Sequence, residues 1–302
     1  NNCLFVQGFG MAIDLAVGIL VITALSVLSY VAGRVIRLGR VSICFAATLL
    51  TCLFFAWTLS GKLVWAAVVP GSSVVFWSNL MPILLCFAAG LAIETPTLAR
   101  MSRFSTVLAL LLLAAAYAVI PFARPLLAPV RVSEESHWKE DVCLQSHTST
   151  CAPAAAATLL RLAGIEAGEH ELVRACLTSS YGTEPLGLYR GLALAARGIR
   201  VARVADSDPL AWERRGELPN IALVRFDPPS RASSESGNVD ARRGSSRWLL
   251  GPRSEGHAIV VLSQDRQGNW LIADPAFGKT TWSNDEFLGR FTGDAIYLAK
   301  TR

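Results

Sequence analysis

A helical membrane region followed by an α+β domain is the architecture that this 302-residue sequence predicts. Three observations predict it. Half of the residues, 52%, are hydrophobic and the mean hydropathy is +0.42, values that suit a half-membrane chain better than one water-soluble domain. The apolar residues gather before residue 125, in runs close to the roughly 20 residues that a bilayer core demands. Beyond Pro125–Lys139, where prolines and charges replace the apolar run, the pattern changes to helices and then to strands.

Four spans are expected, at about Met11–Gly33, Val41–Leu59, Val74–Ala92 and Thr106–Ala123. Polar residues mark their ends: Arg34, Arg37 and Arg40, then Lys62, then Arg100 and Arg103. Pro70-Gly71-Ser72-Ser73 reads as a turn at a membrane surface, and Trp57, Trp65 and Trp77 suit an interfacial aromatic belt. Short loops rich in arginine stay in the cytoplasm. With an even number of spans, both chain ends then face away from it, and the polar half is extracytoplasmic. The first stretch has no basic segment before it and exceeds the apolar core of about 7–15 residues typical of a signal peptide, so it reads as an uncleaved anchor. A multi-pass protein of the cell (inner) membrane is therefore expected.

The domain plan is a membrane region over 1–125, a linker over 126–137 and a C-terminal domain over 138–302. Pro153 suits the start of a helix that runs through alanines and leucines to Leu162 and stops at Gly164. Further helices are expected over Glu169–Leu177 and Leu186–Arg197. Strands should follow at Arg200–Val204, Ile221–Phe226, His257–Ser263, Trp270–Ala273 and Ala295–Leu298. Ser283-Asn284-Asp285-Glu286 is a capping box for a short helix. Residues 227–255 form a polar insertion rich in serine, arginine and glycine, too long for an ordinary hairpin connection and placed just before His257.

The chemistry gathers in the polar half. Cys151 opens the alanine helix, where the helix dipole favours a thiolate. His257 opens an apolar strand, and Asp274, before Pro275, ends the next one. Gln145 precedes the cysteine. A thiol needs a base to become a good nucleophile, the base needs a group to hold its ring, and the developing oxyanion needs placed donors. Cys151, His257, Asp274 and Gln145 supply one residue for each role, the set of a papain-like thiol hydrolase. A zinc site from Cys143, His147 and Cys151 competes for the same residues but lacks a nearby fourth ligand. The net charge of +5 comes from dispersed arginines with no basic, aromatic-studded face, which argues against a nucleic-acid partner.

The segment from Gln145 to Cys151, the Ala-Pro-Ala-Ala-Ala-Ala run after it, the His257 strand and the Asp274-Pro275-Ala276-Phe277-Gly278 turn resemble the bacteriocin-processing cysteine peptidases. These are the double-glycine leader peptidases often fused to ABC exporters. The resemblance covers about 138–302. It implies a papain-like α+β domain with Cys151 as nucleophile, His257 as base, Asp274 as the orienting carboxylate and Gln145 at the oxyanion. Two departures stand out: Ala152 follows the cysteine where the family usually has glycine, and no Gly-x-x-x-x-Gly-Lys-Ser/Thr run signals an ATPase domain in this chain.

The expected function is therefore a membrane-anchored cysteine peptidase acting on a peptide or protein substrate without cofactor or metal, with the lipid bilayer as its other partner. A thiol acyltransferase or amidase, and a non-catalytic peptide-binding module, are the alternatives. Of the seven cysteines, Cys143 and Cys176 are spare thiols in the polar half, and outside the cytoplasm they are candidates for a disulfide.

Overall fold

The computed structural model describes residues 2–35, 40–226 and 255–301. The membrane half comprises α1 (Asn2–Val35), α2 (Val41–Thr58), the short α3 (Val64–Val68) and α4 (Val74–Trp77), α5 (Met81–Glu94) and α6 (Arg100–Leu127). Four helical segments, Ala16–Val35, Val41–Thr58, Val74–Glu94 and Arg100–Leu127, are long and apolar enough to cross a membrane.

The third segment differs from the continuous span expected over 74–92. It breaks between α4 and α5 at Ser78-Asn79-Leu80, where Asn79 Nδ2 donates to the Tyr117 carbonyl of α6 at 2.8 Å. At about 1.5 Å of rise per residue, the 14 residues of α5 span roughly 21 Å, short of a hydrocarbon core of about 30 Å. The fourth segment is longer than expected and carries Pro121 and Pro125 inside α6.

Helices α1 and α5 meet at glycines. A Cβ on Gly90 would stand 2.3 Å from the Tyr30 carbonyl oxygen and 3.0 Å from Gly33 Cα. In lipid, association depends on such close backbone packing. Gly90→Val forces the helices apart and should cost about 1–3 kcal/mol. Its signature is a lower melting temperature in detergent; an unchanged one would mean that this contact contributes nothing.

The C-terminal domain begins with a hairpin of β1 (His137–Lys139) and β2 (Val142–Leu144). Helices α7 (Cys151–Leu162), α8 (Glu169–Ala175) and α9 (Pro185–Ala195) follow. Then come β3 (Arg200–Val204), α10 (Trp212–Arg215), β4 (Asn220–Phe226), β5 (Glu255–Gln264), β6 (Trp270–Asp274), β7 (Gly278–Trp282), α11 (Asn284–Arg290) and β8 (Phe291–Lys300). Six strands form one antiparallel sheet in the order β3-β8-β4-β5-β6-β7. Helices ahead of an antiparallel sheet are the α+β class that the sequence predicts. The hairpin and β7 were not expected; of the insertion expected at 227–255, residues 227–254 lie outside the described residues and Glu255 opens β5.

One face of the sheet carries α7, whose Ala154, Ala155, Ala156 and Ala157 are fully buried beside Ala258, Val260 and Ala273. Alanine leaves no side chain to hold helix and sheet apart. The other face buries Trp212, Trp270 and Phe287, whose rings meet at 5.1–5.9 Å between centroids.

The two halves share a core. Leu63 and Ala66, at α3, and Val74, at α4, are buried in the same apolar cluster as Leu159, Tyr189 and Ala202. Arg197 Nη2 reaches Ser72 Oγ at 3.4 Å, Arg124 of α6 pairs with Glu184 before α9, and Ser180 N–H donates to the Ala128 carbonyl at 2.9 Å. The connection between α2 and α5 is thus an integral layer of the C-terminal domain, on its α9 and β3 side.

Candidate active site

Cys151 is the first residue of α7 and is half-buried. The turn before it is tightly bonded. Thr150 Oγ1 donates to the His147 carbonyl at 2.8 Å and accepts the His147 N–H at 3.1 Å, while His147 Nδ1 and Ser149 Oγ lie 2.8 Å apart. His147 is therefore spent on the loop itself.

Pairing of Val260 with Ala273 sets β5 against β6 so that His257 and Asp274 stand one diagonal step apart on the same face. His257 Nε2 lies 2.8 Å from Asp274 Oδ1. That oxygen also accepts the Ala276 N–H at 2.8 Å. A carboxylate that already accepts one bond there takes the Nε2 proton as another. The other ring nitrogen, Nδ1, is left for a further partner, and Cys151 lies close enough to act on the ring. Burial disfavours the charged ring, yet the bonds to Asp274 and Cys151 outweigh it and push His257 up to about 9.

Gln145 follows β2, and its backbone N–H donates to the Pro275 carbonyl at 2.8 Å, which ties it to the Asp274 turn. Its side-chain Oε1 is buried with no hydrogen-bond partner among the described residues. Of the four residues singled out in the sequence, His257 and Asp274 are thus bonded, Cys151 lies near the ring, and the Gln145 backbone is tied to the Asp274 turn. One neighbour was not anticipated. Phe226, at the end of β4, lies 5.8 Å from the His257 ring, and Arg290 sits 4.8 Å over Phe226 and 4.7 Å over Trp282. Nothing local in the sequence ties Phe226 to the histidine; only the β4–β5 pairing does.

The spare cysteines correct an expectation. Cys143 and Cys176 are free, fully buried thiols rather than a disulfide. Each is enclosed in a different place: Cys143 on β2, near Glu169 and Ser136, and Cys176 against Gly191 of α9. Burial pushes both up to about 12, which makes them inert. Among the described residues, no group of three or more His, Cys, Asp or Glu is arranged to hold a metal ion.

Residues 252–302 match the model of the Peptidase C39 family. Over this stretch the C-terminal domain is similar to the Peptidase C39 family. The matched stretch includes His257 and Asp274, whereas Gln145 and Cys151 precede it. An uncharacterised protein of Methanothermobacter marburgensis is 31% identical over 163 residues, covering 53% of this chain and 89% of that protein. A second, from Methanothermobacter thermautotrophicus, is 27% identical over 171 residues, 57% of this chain and 96% of that protein. Among solved structures, the C-terminal domain is similar to the peptidase domain of Streptococcus ComA, a bi-functional ABC transporter involved in a quorum-sensing pathway. That match has 22% identity, covers 52% of this chain and 96% of that one, and has a TM-score of 0.38. It is also similar to a double glycine motif protease from an AMS/PCAT transporter in complex with its leader peptide, with 18% identity, 56% and 97% coverage and a TM-score of 0.40.

Proposed function

We propose that this chain is a membrane-anchored cysteine peptidase whose C39 domain works outside the cytoplasm. The observation that carries the chemistry is the His257 Nε2–Asp274 Oδ1 contact at 2.8 Å, with Cys151 close enough to the ring to raise its pKa. In this reading Cys151 Sγ attacks a peptide carbonyl while the thiol proton passes to His257 Nδ1. The carbonyl oxygen becomes an oxyanion, stabilised by the Cys151 backbone N–H and the Gln145 side-chain amide. His257 then gives its proton to the leaving amine as the C–N bond breaks, which leaves a thioester. A water, deprotonated by the same ring, hydrolyses that thioester and restores the thiol. Asp274 holds the ring throughout.

The anchoring rests on the four apolar helices, and the orientation on two lines of support. Arg40, Arg100 and Arg103 flank the loops that the positive-inside rule keeps in the cytoplasm. The connection between α2 and α5 packs on the C39 domain, so it and that domain share one side of the bilayer, opposite those loops. A reporter active only outside the cytoplasm, fused after Arg302, is expected to be active. Activity from a cytoplasm-only reporter at the same point would overturn the topology. The substrate class is peptide, and proteins whose cleavage disappears in a Cys151→Ala strain identify it. Product analysis that finds acyl transfer instead of hydrolysis would replace the peptidase reading by the acyltransferase one.

A further inference from the structure

We propose that Glu169 is a positioning residue for Gln145, an assignment that rests on the peptidase reading above. Glu169 is 1% exposed, and a buried carboxylate is costly unless hydrogen bonds hold it. Its Oε1 accepts the backbone N–H of Ser146 at 2.9 Å, and its own N–H donates to Ser136 Oγ at 2.9 Å. Ser146 is the residue directly after Gln145. On the other side, the Gln145 N–H donates to the Pro275 carbonyl at 2.8 Å.

The peptide units on both sides of Gln145 are thus pinned, one by the turn that carries Asp274 and the other by Glu169. The Gln145 amide needs this. Its Oε1 finds no hydrogen-bond partner among the described residues, so no bond at that oxygen aims the side chain, and the backbone must. Preorganised donors act only when they already point at the place where charge develops. Glu169 touches no reacting atom in this scheme. It acts by holding Ser146, and through it the donor side of the oxyanion site.

Two thiol reagents separate positioning from mere folding. Acylation of Cys151 by p-nitrophenyl acetate builds an oxyanion; alkylation by iodoacetamide is a direct displacement that builds none. In the full-length protein in detergent, Glu169→Ala is expected to slow acylation by about tenfold or more while alkylation stays within about twofold. Glu169→Gln, which keeps an acceptor for Ser146, is expected to restore most of the rate. Combining Gln145→Ala with Glu169→Ala should be no slower than Gln145→Ala alone, since both act on one donor. If Glu169→Ala does not fold, Glu169→Asp, whose carboxylate sits one methylene short, must show the same selective loss. Equal loss with both reagents, or no loss with either, overturns the assignment. A wild-type chain that iodoacetamide labels at Cys151 but the ester never acylates overturns the peptidase reading, and this inference with it.

Discussion

Cys151→Ser is expected to reduce peptide cleavage by at least roughly 10³-fold without altering the fold. A serine hydroxyl is far less acidic than a thiol, and the His257 ring that would have to deprotonate it is tuned for a thiol partner. The half-buried position at the head of α7 accepts serine without a steric change. Near wild-type cleavage by the serine variant would end the thiol-hydrolase reading. Cys143→Ser and Cys176→Ser give the contrast: those thiols are buried and pushed up to about 12, so their loss should leave turnover through Cys151 intact wherever the protein still folds.

The same pair predicts a pH profile. His257 must carry its proton to release the leaving amine, and that proton is held up to about pH 9. The alkaline limb of kcat is therefore expected near 9, and Asp274→Asn, which removes one cause of the elevation, should move it to lower pH while leaving residual activity. The linkage has a definite sign. A histidine raised from 6.5 to about 9 adds stability in full below about pH 6.5, and this contribution is lost as the pH rises through 9. An alkaline limb that stays in place in Asp274→Asn would detach the carboxylate from the ring.

Much of this site was legible because each member sits on a local signal. Cys151 heads an alanine run, His257 opens an apolar strand, and Asp274 precedes a proline; the two strands are neighbours in sequence, so their pairing follows from one hairpin. Residues placed by tertiary pairing alone were not legible. Phe226 reaches His257 only through the β4–β5 register, and Glu169 reaches Ser146 from a helix whose start carries no sign of that use. The β1–β2 hairpin was hidden for a different reason. Its turn places Glu140 and Asp141 at φ of 49° and 66°, a left-handed conformation with neither the glycine nor the asparagine that usually marks it. The expected Cys143–Cys176 pair is absent because spacing carries no information about direction: both thiols are free within the same buried cluster, Cys143 on β2 and Cys176 against Gly191 of α9.

Hydropathy also cannot distinguish lipid from protein as the medium that covers an apolar side chain, which is why α4 reads in the sequence as the start of a span. Leu63 supplies the decisive test. It is 0% exposed and lies in the core of the C-terminal domain, whereas its neighbour Val64 is 53% exposed. Leu63→Asp removes a large apolar contact and leaves a carboxylate without a partner in an apolar layer, a loss on the order of 3–5 kcal/mol. Domains of this kind hold only about 5–15 kcal/mol in total, so the variant should melt far lower in detergent and lose the proposed peptidase activity with it. Val64→Asp, one residue along and facing outward, should do neither. The paired comparison separates two pictures of the membrane half. If it is a tether, both variants behave alike and residues 138–302 keep their stability when cut free. If the connection between α2 and α5 is a layer of the catalytic core, as Leu63, Ala66 and Val74 indicate, only Leu63→Asp collapses the domain. The excised domain would then expose the apolar seat that these three side chains fill.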